Sequence, residues 1–168
     1  MVSTEFKGVG LHYTAFRDAI REDSRQTTPS RGVTPRKKFA VEANVESRVS
    51  QRDTLGYCGC SECEAVDAGA DSHAGSVIKF GTEVAEAVEK EFPGKIIETL
   101  AYQYSRKPPK GLHPRANVMP CLCSIECDFK EPLVRSGYPE NAAFVNDLKG
   151  WGALTDRLYV WDYTTDFR

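Results

Sequence analysis

The sequence predicts an α/β fold on a parallel sheet of about four strands with crossover helices. Two observations carry this. From about residue 47, apolar segments of strand length alternate with segments of helical periodicity. Such alternation favours parallel strands, because a parallel pair needs a long crossover between its members. The strand segments are also nearly continuous apolar runs, as suits strands covered on both faces.

Taken in order, "ESRVSQRD" ends a short first strand, and "GYCGCSECEA" reads as a turn-rich stretch. "SVIKFGTEVAEAVEKEF" is the clearest helix. Val77, Phe80, Val84, Val88 and Phe92 recur at three- and four-residue spacing, and Pro93 with Gly94 ends it. "KIIETLAYQY" reads as a buried strand, "SRKPPKGLHPRA" as a proline-rich loop with no helix, and "NVMPCLCSIEC" as the next strand. "PENAAFVNDLKGW" is a helix with Phe144, Leu148 and Trp151 on one face, and "RLYVWDYTTDF" closes the series as a strand.

Residues 1–46 form a separate basic segment, expected to be partly disordered, with the α/β domain over 47–168. Within that segment, 14–24 suits a short helix carrying Phe16 and Ile20, and "RQTTPSRGVTPRKK" reads as a linker. Charge supports the division. Residues 1–52 hold ten Lys/Arg against six Asp/Glu, and residues 53–168 hold twelve against eighteen. The basic tract is read as a solvated segment in preference to a phosphate site. Charged residues at 27% and hydrophobic ones at 40% are ordinary for a globular chain, and 168 residues suffice for one core. A net charge of −2 gives no reason to expect a nucleic-acid partner. No apolar run reaches the roughly 18 residues of a membrane span, and the first residues lack the apolar stretch of a signal peptide. No internal repeat is present.

Polar residues fall where each strand ends. Asp53 follows the first; Tyr102, Gln103, Tyr104 and Arg106 follow the second; Glu126 and Asp128 the third; Trp161, Asp162 and Tyr163 the fourth. Parallel α/β sheets and barrels carry their sites at this C-terminal edge. Carboxylates supply acid, base or nucleophile, and aromatic faces stack on sugar rings, which is the equipment of a carbohydrate-processing site. Taken singly, an acid at a strand end is more often a capping or solvated group, and an aromatic is more often packing.

The stretch "LAYQYSRKPPKGLHPRANVMPCLCSIECDFKEPL", with "NDLKGW", "LYVWDYTTDF" and the upstream "VSQRD…YCGCSECEAVD", resembles the bacterial domain of unknown function 4838. That family is grouped with the glycosyl-hydrolase TIM barrels, near the alpha-glucuronidases and hexosaminidases. The resemblance runs from about Val49 to Phe167. It implies a partial (β/α)8 barrel from a glycoside-hydrolase-like protein, a carbohydrate partner and an exported parent. Asp53, Glu126 and Asp162 become the acid/base candidates. Tyr102, Tyr104, Arg106, Trp161 and Tyr163 become the sugar-contacting ones, with Arg106 suited to a uronate carboxylate. Arg52 stands where the family has Asn, beside Asp53, and Asp166 replaces another Asn. A whole barrel takes about 250 residues. Four strands are about half of one, so a fragment with open sheet edges prone to self-association is expected. Two other readings stand beside hydrolysis: a non-catalytic carbohydrate-binding or inactive truncated homologue, and a zinc-stabilised interaction domain.

Six cysteines form two triplets, Cys58, Cys60, Cys63 and Cys121, Cys123, Cys127. No cofactor is expected, with zinc on the first triplet as the runner-up, completed by the second triplet or by His73. A disulfide and free buried thiols remain open as well. Strand alternation sends Cys121, Cys123 and Cys127 to one sheet face if the strand extends that far.

Overall fold

The computed structural model describes residues 45–51, 55–135 and 137–163. The expected helix at 14–24, the basic linker, Arg52, Asp53 and Asp166 lie outside the described residues.

Four strands, β1 (Val45–Arg48), β2 (Ile96–Ala101), β3 (Val118–Cys123) and β4 (Tyr159–Trp161), form one parallel sheet in the order β1-β2-β3-β4. Helices α1 (Ser61–Ala70) and α2 (Ala74–Glu91) connect β1 to β2, and α3 (Pro139–Leu154) connects β3 to β4. Between β2 and β3 there is a single 3₁₀ turn at Gln103–Ser105, followed by the expected proline-rich loop. The α/β class and parallel pairing are therefore as the sequence predicts.

The sheet has two unlike faces. On one, Ile97 and Val118 pack with Val49 under Phe80, Val84 and Val88 of α2. Further along the strands, Ala101 and Leu122 pack with Ala74 and Ile78 of α2 and with Phe144 and Trp151 of α3. The two clusters follow α2 back along the sheet, as a crossover returning antiparallel to its strands must run. At Gly81 the helix faces the sheet, and a β-carbon there would sit at ordinary packing distance, 3.8 Å from Val118 and 3.9 Å from Thr99. Alternation turns Glu98, Leu100, Cys121 and Cys123 to the other face. That face is polar at its centre, where the Arg48 guanidinium meets the buried Glu98 carboxylate.

Three expectations need correction. The stretch read as turn-rich contains α1, a ten-residue helix whose buried positions are Asp67 and Ala70. It lacks an apolar stripe and is held by its packing on α2. The third strand stops at Cys123, so Cys127 does not share a face with Cys121 and Cys123. It lies in the helix-side cluster with Phe144 and Trp151. β4 also departs from a strand covered on both faces: Tyr159, Val160 and Trp161 are all exposed.

Candidate functional site

Four strand ends meet at a cleft on the polar face. Its volume is about 190 Å³, and it is lined by Arg48, Gln51, Leu100, Tyr102, Cys123, Trp161 and Tyr163. Register explains the gathering. Cys123 pairs with Trp161 across β3 and β4, and Ala101 pairs with Leu122 across β2 and β3, so the residues just beyond each strand emerge at one level. The Arg48 guanidinium lies over the Trp161 ring, 4.9 Å from its centre, a cation–π contact on a half-exposed ring.

The rim is tied together by hydrogen bonds between successive strand ends. Gln51 Nε2 donates to the Tyr102 carbonyl at 3.0 Å, and the Ser105 hydroxyl donates to Gln51 Oε1. Ser105 is fully buried and also accepts from the Tyr102 backbone N–H at 3.2 Å. Gln103, between them, holds φ at 48°, a left-handed conformation uncommon for a residue with a side chain. Its Nε2 donates to the Tyr102 hydroxyl at 3.0 Å, which fixes the phenol at the cleft wall. On the far side, the Ser124 hydroxyl donates to Asp162 Oδ1 at 2.8 Å, linking β3 to the end of β4. Burial, with the nearby Cys123 thiol, pushes the Tyr163 phenol up to about 12, so it stays a neutral hydrogen-bond donor through the physiological range.

Of the sequence-predicted sugar contacts, Tyr102, Trp161 and Tyr163 line the cleft, while Tyr104 and Arg106 do not. Tyr104 sits against the corner between α1 and α2, its ring 5.9 Å from Tyr57 and 6.2 Å from His73. Arg106 donates from Nε to Asp147 at 2.8 Å and from Nη1 to Glu126 at 3.0 Å. Its carbonyl accepts from Trp151 Nε1 at 2.8 Å. Burial works against the Arg106 charge, and the two carboxylates outweigh it and hold the guanidinium protonated. Burial also lifts the Asp147 carboxyl above its usual range despite the arginine, and Glu126 adds to that lift. Arg106 and Glu126 therefore belong to one charged knot between the loop and α3. The cation lining the cleft is Arg48, the last residue of β1, whereas the sequence places the end of this strand at Gln51. Asp53 lies outside the described residues. Asp162 stands at the rim, bonded to Ser124. Asp128 is bound by Asn141, which accepts from its N–H and donates to its carbonyl, both at 2.8 Å.

A second polar group lies at the α1–α2 corner. Buried Asp67 accepts from the Ser76 N–H at 2.7 Å, capping α2, and from His73 Nδ1 at 3.0 Å. Tyr57 stacks on His73 with ring centres 3.7 Å apart. Gly75 is required here, since a β-carbon would come within 2.8 Å of the Ala70 methyl. The proline-rich loop is moored to the same corner by Lys107 and Lys110 on Asp71 at 2.9 and 2.8 Å, and by Lys110 N–H to the Ala70 carbonyl at 2.8 Å.

All six cysteines are free thiols. The ligand atoms of Cys58, Cys60 and Cys63 lie within 4.8 Å of one another, and among the described residues no other His, Cys, Asp or Glu joins them. Thus neither His73 nor the second triplet completes that set. Cys121 and Cys123 are buried along the strand. The Cys63 N–H, foremost among its contacts, draws the Cys60 thiol below its usual value, whereas burial pushes Cys63 up to about 12.

With this geometry in place, comparison with known proteins identifies a family. The family model for the domain of unknown function DUF4838 fits residues 36–168, and the chain belongs to that family. The match begins earlier than the motif resemblance near Val49. No curated protein and no solved structure matches the chain. Among the described residues, no helix is long and apolar enough to cross a membrane.

Proposed function

We propose that this member of the family carries part of a glycoside-hydrolase-like (β/α)8 barrel, and that its cleft binds a carbohydrate. The observation that carries the reading is the cleft itself. Two tyrosines, a tryptophan and an arginine converge at the C-terminal ends of consecutive parallel strands. The consecutive strand order supports a barrel segment, because doubly wound sheets reverse their order at a switch point. Half-exposed Trp161 offers a face for a sugar ring, and the Tyr102 and Tyr163 hydroxyls offer hydrogen bonds to its substituents. Arg48 supplies a cation for an acidic sugar, the role the sequence reading gave to Arg106.

Binding is favoured over hydrolysis for the described part of the site. Glu126 is engaged by Arg106, and Asp162 is hydrogen-bonded to Ser124. A hydrolytic reading rests on Asp53 and Asp162 as the acid/base pair. It needs two carboxyls about 5–5.5 Å apart for retention or about 6.5–9.5 Å for inversion. A panel of neutral and uronate-containing oligosaccharides, measured for both binding and release of reducing ends, tests the proposal. Saturable binding of one sugar class without release of ends supports the binding reading. Release that is lost in D53N or D162N restores hydrolysis, and no binding to any member of the panel overturns the proposal.

A further inference from the structure

We propose that Cys58, Cys60 and Cys63 form a three-thiolate site for Zn²⁺, independent of the carbohydrate cleft. The local fold brings the three together. Cys60 is the N-cap residue of α1, with φ −76° and ψ 153°, and its carbonyl accepts from the Glu64 N–H at 2.9 Å. Cys63 is the third residue of that helix, so the two side chains meet across the first turn as cap and third residue do in a capping box. Cys58 enters from the preceding loop. The loop is anchored beforehand by Tyr57 stacked on His73, and His73 in turn is held by buried Asp67. The three sulfurs therefore stand on a fixed frame.

The donor set suits the ion. Zinc takes thiolate sulfur at about 2.3 Å in a tetrahedral arrangement, which places sulfurs about 3.8 Å apart. Ligand atoms within 4.8 Å need to close by about 1 Å at most. Three thiolates at this spacing repel one another, and a soft divalent cation removes the repulsion. Cys60 is exposed, so the fourth position opens to water or an incoming ligand. Binding releases the thiol protons and tightens as pH rises. The second triplet is an internal control: equal in cysteine count, it lies along and beyond a strand and does not converge.

The test is a titration of the reduced chain with Co²⁺ followed by Zn²⁺, read by absorption and metal analysis. The expected result is one Co²⁺ per chain with a thiolate-to-cobalt charge-transfer band that Zn²⁺ abolishes. C58S, C60S and C63S should each lose the band while keeping the wild-type far-ultraviolet circular dichroism. C121S and C123S should retain it. Absence of a band in the wild-type chain, or its loss in the second-triplet variants alone, overturns the proposal. So does a Cys60–Cys63 disulfide found by mass spectrometry in protein purified without added oxidant.

Discussion

The two faces of the sheet are built from the same strands and behave as different materials. The face under α2 and α3 is apolar and closed: Ile97, Val118, Leu122, Phe144 and Trp151 are at most 2% exposed. The opposite face carries the Arg48–Glu98 pair and a cleft whose Trp161 is 40% exposed. A strand alternates its side chains, so one run of six residues can build a core with its odd positions and a site with its even ones. The stability of this chain should therefore reside on one face and its recognition on the other.

The largest effect that would break this division is on the closed face. Trp151→Ala removes a fully buried indole and its hydrogen bond to the Arg106 carbonyl. A loss of about 3–5 kcal/mol is expected in urea denaturation. Next comes the charged knot behind the loop. Arg106→Ala leaves Asp147 and Glu126 without their cation, at an expected cost of about 3 kcal/mol. The double variant R106A/D147N should recover part of that loss, which a purely steric role for Arg106 would not allow. If Trp161→Ala destabilises as much as Trp151→Ala, the division between faces fails. A change under about 1 kcal/mol is expected for that exposed ring.

The smallest effect concerns pH. Lys110 and Lys107 hold the exposed Asp71 carboxyl down to about 2, from an ordinary 3.8. A depressed carboxyl contributes stability that is present above its unfolded value and disappears as pH falls through the folded one. Asp71→Asn should thus lower the melting temperature slightly at neutral pH and flatten its fall between about pH 4 and pH 2, so that the two proteins converge at about pH 2. An identical acid profile for wild type and variant would remove the mooring role given to this contact.

Much of this fold is legible in the sequence, because the strand segments are apolar and α2 repeats its apolar residues every three or four positions. α1 is not, since only Asp67 and Ala70 are buried and glycine, serine and cysteine crowd its start. The cleft is partly legible: Tyr102 follows β2 directly, Trp161 closes β4 and Tyr163 stands two residues beyond it. Arg48 is not legible, because the sequence carries the first strand past it to Gln51 while β1 ends at Arg48 itself, and neither are Gln51 and Ser105, whose partners lie some fifty residues away. Arg106 was assigned to the ligand because nothing local announces Asp147, 41 residues on. Cys127 would share the face of Cys121 and Cys123 only if the strand ran on to it, and β3 ends at Cys123.

The measurement that bears most directly on the central claim is isothermal titration of the wild-type chain and of W161A with the oligosaccharide that binds best in the panel. The expected result is saturable binding to wild type and no measurable heat from W161A, with both proteins melting within a few degrees of each other. Equal affinity for the two proteins would contradict the assignment of recognition to the open face of the sheet.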